Sequence, residues 1–201
     1  MNPTKLQRLI LFVLNNLGHD VGAIELAKIL YLIDIESISL VGHTVSGEEY
    51  TRQKKGPLAR NFQNTLDSMM GSEITLILDP TRSGIPKKSH SVGNKPRFVA
   101  ELDEIDILSA NRVLKRIRGV APVDLEKLAY DTEPMKIITN KESELGKVFI
   151  GEVLNLNSVA PHPVISRWRE NKKIMEEPDP KFSEFLKRES TEIDNILVSL
   201  E

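Results

Sequence analysis

Three polar side chains, Lys28, Tyr31 and Asp34, stand inside an otherwise apolar stretch. An ammonium, a phenol and a carboxylate spaced three residues apart lie roughly along one helix face. Such a set could shuttle protons in acid–base catalysis. The same spacing suits a polar stripe on a buried helix, hydrogen-bonded to neighbouring loops, because charges away from water are tolerated only when paired. We take the second reading. The four histidines (His19, His43, His90 and His162) are scattered over predicted loops and give none of the converging spacings a metal site needs. With no cysteine, disulfides, zinc knuckles, iron–sulfur clusters and thiol catalysis are excluded. No Gly-rich phosphate loop, His-Glu-x-x-His or Gly-x-Ser-x-Gly occurs. The residues therefore imply no catalytic group, metal or cofactor.

A second chemistry comes from charge. Between Thr51 and Phe98 lie nine basic side chains, Arg52, Lys54, Lys55, Arg60, Arg82, Lys87, Lys88, Lys95 and Arg97, against three acidic ones. The rest of the chain carries 18 bases and 26 acids, and the whole sums to −2. A basic middle on an acidic chain could follow phosphates, with Arg82, Lys87, Lys88, Lys95 and Arg97 as contacts. It could equally meet an acidic protein. No aromatic ladder interleaves these lysines, so a single-strand stacking platform is not expected.

The elements that must position these residues follow from periodicity. Leu6, Leu9, Ile10, Val13, Leu14 and Leu17 predict a helix over 4–17, with Thr4 as N-cap and Gly18 as stop. Residues 24–41 predict a second helix, apolar on nearly every face and ended by Gly42; it belongs at the centre of the fold. Glu48 to Gln53 alternates weakly, as a strand would. Gly56-Pro57 is expected to open a third helix reaching Met70, with proline at the first helical position. Strands are expected over 74–78 and 95–101, separated by a long Gly/Pro/Ser/Lys loop over 79–94. Helices follow over 103–118 and from Pro122 to about Asp131. Residues 136–139 and 148–154 suggest strands. Two terminal helices, 163–177 and 181–200, complete the chain; the last carries an apolar stripe of Phe182, Phe185, Leu186, Ile193, Ile196 and Leu197.

The 201 residues are 40% apolar and 28% charged, enough for one ordinary domain or two small ones. The expected class is mainly α with a small antiparallel sheet, its N-terminal half ordered like a winged helix. The weakest pattern, around 134–160, suggests a core domain over 1–135 and a mostly helical extension over 136–201, packing on the core or on a partner. No stretch reaches the roughly 18 apolar residues of a membrane helix. The Leu9–Leu14 run is too short for an export signal, so a cytoplasmic location is expected.

The stretch Lys28-Ile-Leu-Tyr31-Leu-Ile-Asp34, followed by Gly42, Val45-Ser-Gly47, Tyr50 and Gly56-Pro57, resembles the Panacea domain, the SocA-like, phage-associated antitoxin domain. Leu128-Ala-Tyr130-Asp-Thr-Glu133-Pro134-Met135 matches a later family segment loosely, with Tyr130 where the family usually has His. The similarity spans about 5–135. It implies a mostly helical antitoxin that is not an enzyme and that neutralises a protein toxin encoded beside it. Lys28, Tyr31, Asp34, Gly47, Tyr50, Gly56 and Pro57 are then scaffold or partner-binding residues. Such a module would bury about 800 Å² per partner. The terminal helices are candidates for a helix-in-groove contact or for self-association. The alternative function is a DNA-binding regulator of winged-helix type.

Overall fold

A computed structural model describes residues 2–80, 86–166 and Glu184. Arg82, the 181–200 stripe (Phe182, Phe185, Leu186, Ile193, Ile196, Leu197) and most of the expected 163–177 helix lie outside the described residues. The fold is mainly α with two small antiparallel sheets, as the sequence predicts. None of the described helices is long and apolar enough to cross a membrane.

Helix α1 (Lys5–Leu17) starts at a capping box: the Gln7 N–H donates to Thr4 Oγ1 at 3.1 Å, and the Thr4 N–H donates to Gln7 Oε1 at 2.8 Å. Gly18 closes it in the left-handed conformation. Helix α2 (Ala23–Val41) is the central rod. Leu26, Ile29, Leu30, Leu32 and Ile33 on it are all buried, which requires neighbours on several sides. Those neighbours are α1, α4 (Glu104–Ile117), α5 (Pro122–Tyr130) and both hairpins.

The first hairpin corrects one expectation. Gly56 and Pro57 do not open a helix. They begin strand β2 (Gly56–Ala59), paired antiparallel with β1 (Tyr50–Gln53) across Lys54-Lys55. Pro57 faces Arg52 in this register. The Arg52 N–H and C=O both turn to the other edge, donating to the Glu152 carbonyl at 2.8 Å and accepting from the Gly151 N–H at 2.7 Å. Pro57 therefore sits where the ladder demands no N–H. The Arg60 N–H extends the pairing to the Glu49 carbonyl, so helix α3 (Phe62–Met69) starts only afterwards.

The second hairpin corrects another. Its first strand, β3 (Ile74–Asp79), is as expected. Its partner β4 is Lys87–Val92, inside the supposed loop, and 95–101 is not a strand. β4 is polar and carries no apolar alternation. It is selected by backbone pairing: six register pairs with β3, and reciprocal bonds between His90 and Val21 at 2.8 and 3.1 Å. The 95–101 segment is instead held by Glu73, whose carboxylate accepts from the Arg97 N–H and guanidinium. Gly93 makes the crossing possible, since a Cβ there would lie 2.1 Å from the Ser72 carbonyl oxygen.

Helices α4 (Glu104–Ile117) and α5 (Pro122–Tyr130) match their predicted spans closely. Residues 136–139 are not a strand but part of α6 (Glu133–Leu145), which starts with proline in its first turn. Residues 148–154 form no strand either, only a single bridge from Val153 to Thr51 on the open edge of β1. Met135, Ile138 and Leu154 join the same apolar cluster as Leu6 and Ile33, so the chain beyond 135 contributes to the core.

Candidate functional site

The Lys28, Tyr31 and Asp34 side chains do share one seam of α2, and each is held by a different neighbour. Lys28 is buried and donates from Nζ to Glu126 Oε2 of α5 at 2.6 Å. That hydrogen bond holds the Glu126 carboxyl below its ordinary range. Tyr31 lies 2.7 Å from Thr132 Oγ1. The Thr132 hydroxyl gives its one proton to the Ala129 carbonyl, so Tyr31 is the donor to Thr132. Burial pushes the Tyr31 phenol well up.

Asp34 is completely buried and collects three donors: the Ser46 N–H at 3.0 Å, the Ser46 hydroxyl, and the Tyr50 hydroxyl at 2.7 Å. Burial nevertheless pushes its carboxyl up to about 6, against the pull of those hydrogen bonds. Burial and the Asp34 charge push the Tyr50 phenol up in turn. The Tyr31 and Tyr50 rings meet edge to face with centroids 5.1 Å apart.

Beside this seam lies a cluster the sequence did not mark. The buried Arg52 guanidinium binds both oxygens of Glu142 on α6, at 3.1 and 3.2 Å. It also donates to the Tyr130 hydroxyl at 3.0 Å and lies over that ring, 5.3 Å from its centroid. Burial pushes Glu142 up, but the Phe149 N–H and Arg52 outweigh it and hold the carboxyl low. Arg52 and Glu142 are 90 positions apart, and nothing local in either segment announces the pair. Tyr130 is the member that was legible, as part of the loosely matched 128–135 segment.

Gly56 joins the two clusters. Its φ is +110°, and a Cβ there would lie 3.3 Å from Tyr130 Cε2 and 3.8 Å from Lys28 Cε. Only glycine lets the turn settle this closely with that backbone. Gly56 and Pro57 also line a shallow apolar pocket of about 180 Å³ with Ile24, Leu58 and Phe62. Gly47, at φ +73°, turns the loop that delivers Ser46 to Asp34.

The basic set divides. Lys87, Lys88 and Lys95 are exposed and form no ion pair among the described residues. Arg97 is bound to Glu73, which its hydrogen bonds hold down at about 2. His90 is buried against the Val21 carbonyl, and among the described residues no group of three or more His, Asp or Glu could hold a metal ion. Comparison of the chain with protein-family models, with curated proteins and with solved structures finds no match.

Proposed function

We propose that this chain is an antitoxin-like protein-binding module, related to the Panacea domain, that neutralises a cognate protein toxin by direct binding. The observation that carries the reading is the fate of the motif. Lys28, Tyr31, Asp34 and Tyr50 all point into internal partnerships that lock α2 to α5 and to the first hairpin. Their role is to build a rigid scaffold, and one stretch of its surface exposes a run of apolar side chains. Leu145, Val148, Ile150 and Val153 are each more than half exposed within nine residues, on the segment that docks on β1. Exposed apolar side chains clustered in this way mark protein-binding surfaces.

The test is co-expression with the product of the adjacent gene. The two proteins are expected to co-elute, and the chain is expected to restore growth when the neighbour is toxic. Val148→Glu with Ile150→Glu should abolish both effects without lowering the melting temperature. Failure to bind or to rescue would defeat the reading.

One observation favours the alternative, a DNA-binding regulator. The exposed Lys87, Lys88 and Lys95 follow one another along β4 and its exit. They suit phosphate contacts, and a salt-dependent shift of promoter DNA at about 50 mM salt would support that activity. The recognition helix it would need is weak: α3 has eight residues and no basic side chain.

A further inference from the structure

A groove of about 460 Å³ opens where the C-terminal ends of α1 and α4 meet the starts of α2 and α5. None of Lys28, Tyr31, Asp34, Gly47, Tyr50, Gly56 and Pro57 lines it. Its floor is apolar, built from Leu17, Ile29, Leu114, Ile117 and Leu125. This size and lining are those of a small-molecule site.

Set into the wall is Asn111, only 9% exposed, whose side-chain amide has no hydrogen-bond partner among the described residues. The amide is not among the fully enclosed polar groups left without a partner, so it opens into the groove, where a ligand atom can pair with it. On α4, Asn111, Leu114 and Lys115 fall at i, i+3 and i+4, and Arg118 follows as the residue that caps the helix. One helix face thus runs from amide through apolar contact to cations. Lys87 of β4 adds a third cation at the rim. Lys87 and Arg118 are exposed and form no ion pair among the described residues. Two acids, Asp20 and Glu25, stand on the α2 side. Glu25 lies in the first turn of α2 and Lys115 and Arg118 at the end of α4, so the helix ends offset all three charges, whereas Lys87 on a strand has no such compensation.

We propose that this groove binds an amphipathic organic anion, with its apolar body on the Ile29–Leu114–Ile117 floor, a polar atom hydrogen-bonded to Asn111, and its acidic head toward Lys87 and Arg118. A purely hydrocarbon ligand would leave the Asn111 amide unpartnered, and a cationic head would face the larger share of like charge. The site is independent of whether the chain also binds a toxin.

Anilinonaphthalene sulfonate, titrated into the full-length protein, reads the site directly. Its fluorescence should rise to saturation at one equivalent. Decanoate should displace it and decylammonium should not. Arg118→Glu, an exposed change that should leave the melting curve in place, is expected to weaken binding about tenfold, equivalent to ~1.4 kcal/mol. Asn111→Asp, which places a charge against the bound anion, should weaken it at least as much. The proposal is overturned by no fluorescence rise, by binding that Arg118→Glu leaves unchanged, or by equal displacement with decylammonium.

Discussion

Replacing Tyr50 with Phe deletes one oxygen from a fully buried site and should produce a stability loss that depends on pH. The Tyr50 hydroxyl is one of three donors to the Asp34 carboxylate, at 2.7 Å, and both groups are closed off from bulk solvent. A hydrogen bond to a charged group contributes about 1.5–3 kcal/mol. Asp34 already titrates at about 6 in the folded chain, against an ordinary value of about 3.9 when unfolded. Because the folded value is raised, the native state holds the proton more tightly. This group therefore lowers stability above pH 6, and the loss is recovered as pH falls from about 6 to about 4. The ionisation penalty at pH 8 is about 3 kcal/mol. Without the Tyr50 donor the folded value rises further, so the variant should lose about 2–3 kcal/mol at pH 8 and only about 1 kcal/mol near pH 5, where the wild-type carboxyl is mostly neutral. Urea unfolding at pH 5, 6.5 and 8 measures this directly. At pH 8 the melting temperature should drop by roughly 5–10 °C for a chain of this size. A destabilisation of equal size at all three pH values would show that Asp34 is not the group responsible. One below about 0.5 kcal/mol at pH 8 would show that the hydrogen bond contributes nothing.

The remaining expectations concern the neighbouring contacts. Arg52→Met leaves Glu142 without its bidentate partner and should cost about 3 kcal/mol; adding Glu142→Gln should return at least a third of that, measured in a double-mutant cycle by denaturant unfolding. Gly56→Ala forces a side chain into φ +110° and within 3.3 Å of Tyr130; about 1–3 kcal/mol should be lost, seen as a lower melting temperature, while Gly71→Ala, in open space at a similar left-handed φ, should cost less. Glu73 has a folded value lowered to about 2 by Arg97, so it stabilises the protein above about pH 4.5, and that stability is lost as pH falls toward 2. Glu73→Gln should cost about 1–2 kcal/mol at pH 7 and flatten the acid limb of the stability–pH curve.

What the sequence determined by itself was local. Helices α1, α2, α4 and α5 announced themselves because their periodicity, the Thr4 cap and the Gly18 and Gly42 stops all act within one or two turns of chain. The buried polar seam was legible for the same reason: Lys28, Tyr31 and Asp34 are conspicuous against the leucines and isoleucines around them. Tertiary structure decided the rest. Pro57 became a strand residue because Arg52, across the hairpin, directs its backbone bonds to Gly151 and Glu152, about a hundred positions away. The polar β4 became a strand because Val21 and β3 needed backbone partners, a demand that leaves no trace in the hydrophobicity of Lys87 to Val92. Residues 136–139 became helix once Pro134 started α6. The Arg52–Glu142 pair and the Asn111 groove exist only through contacts between segments far apart in the chain, and no pattern within either segment encodes such a contact.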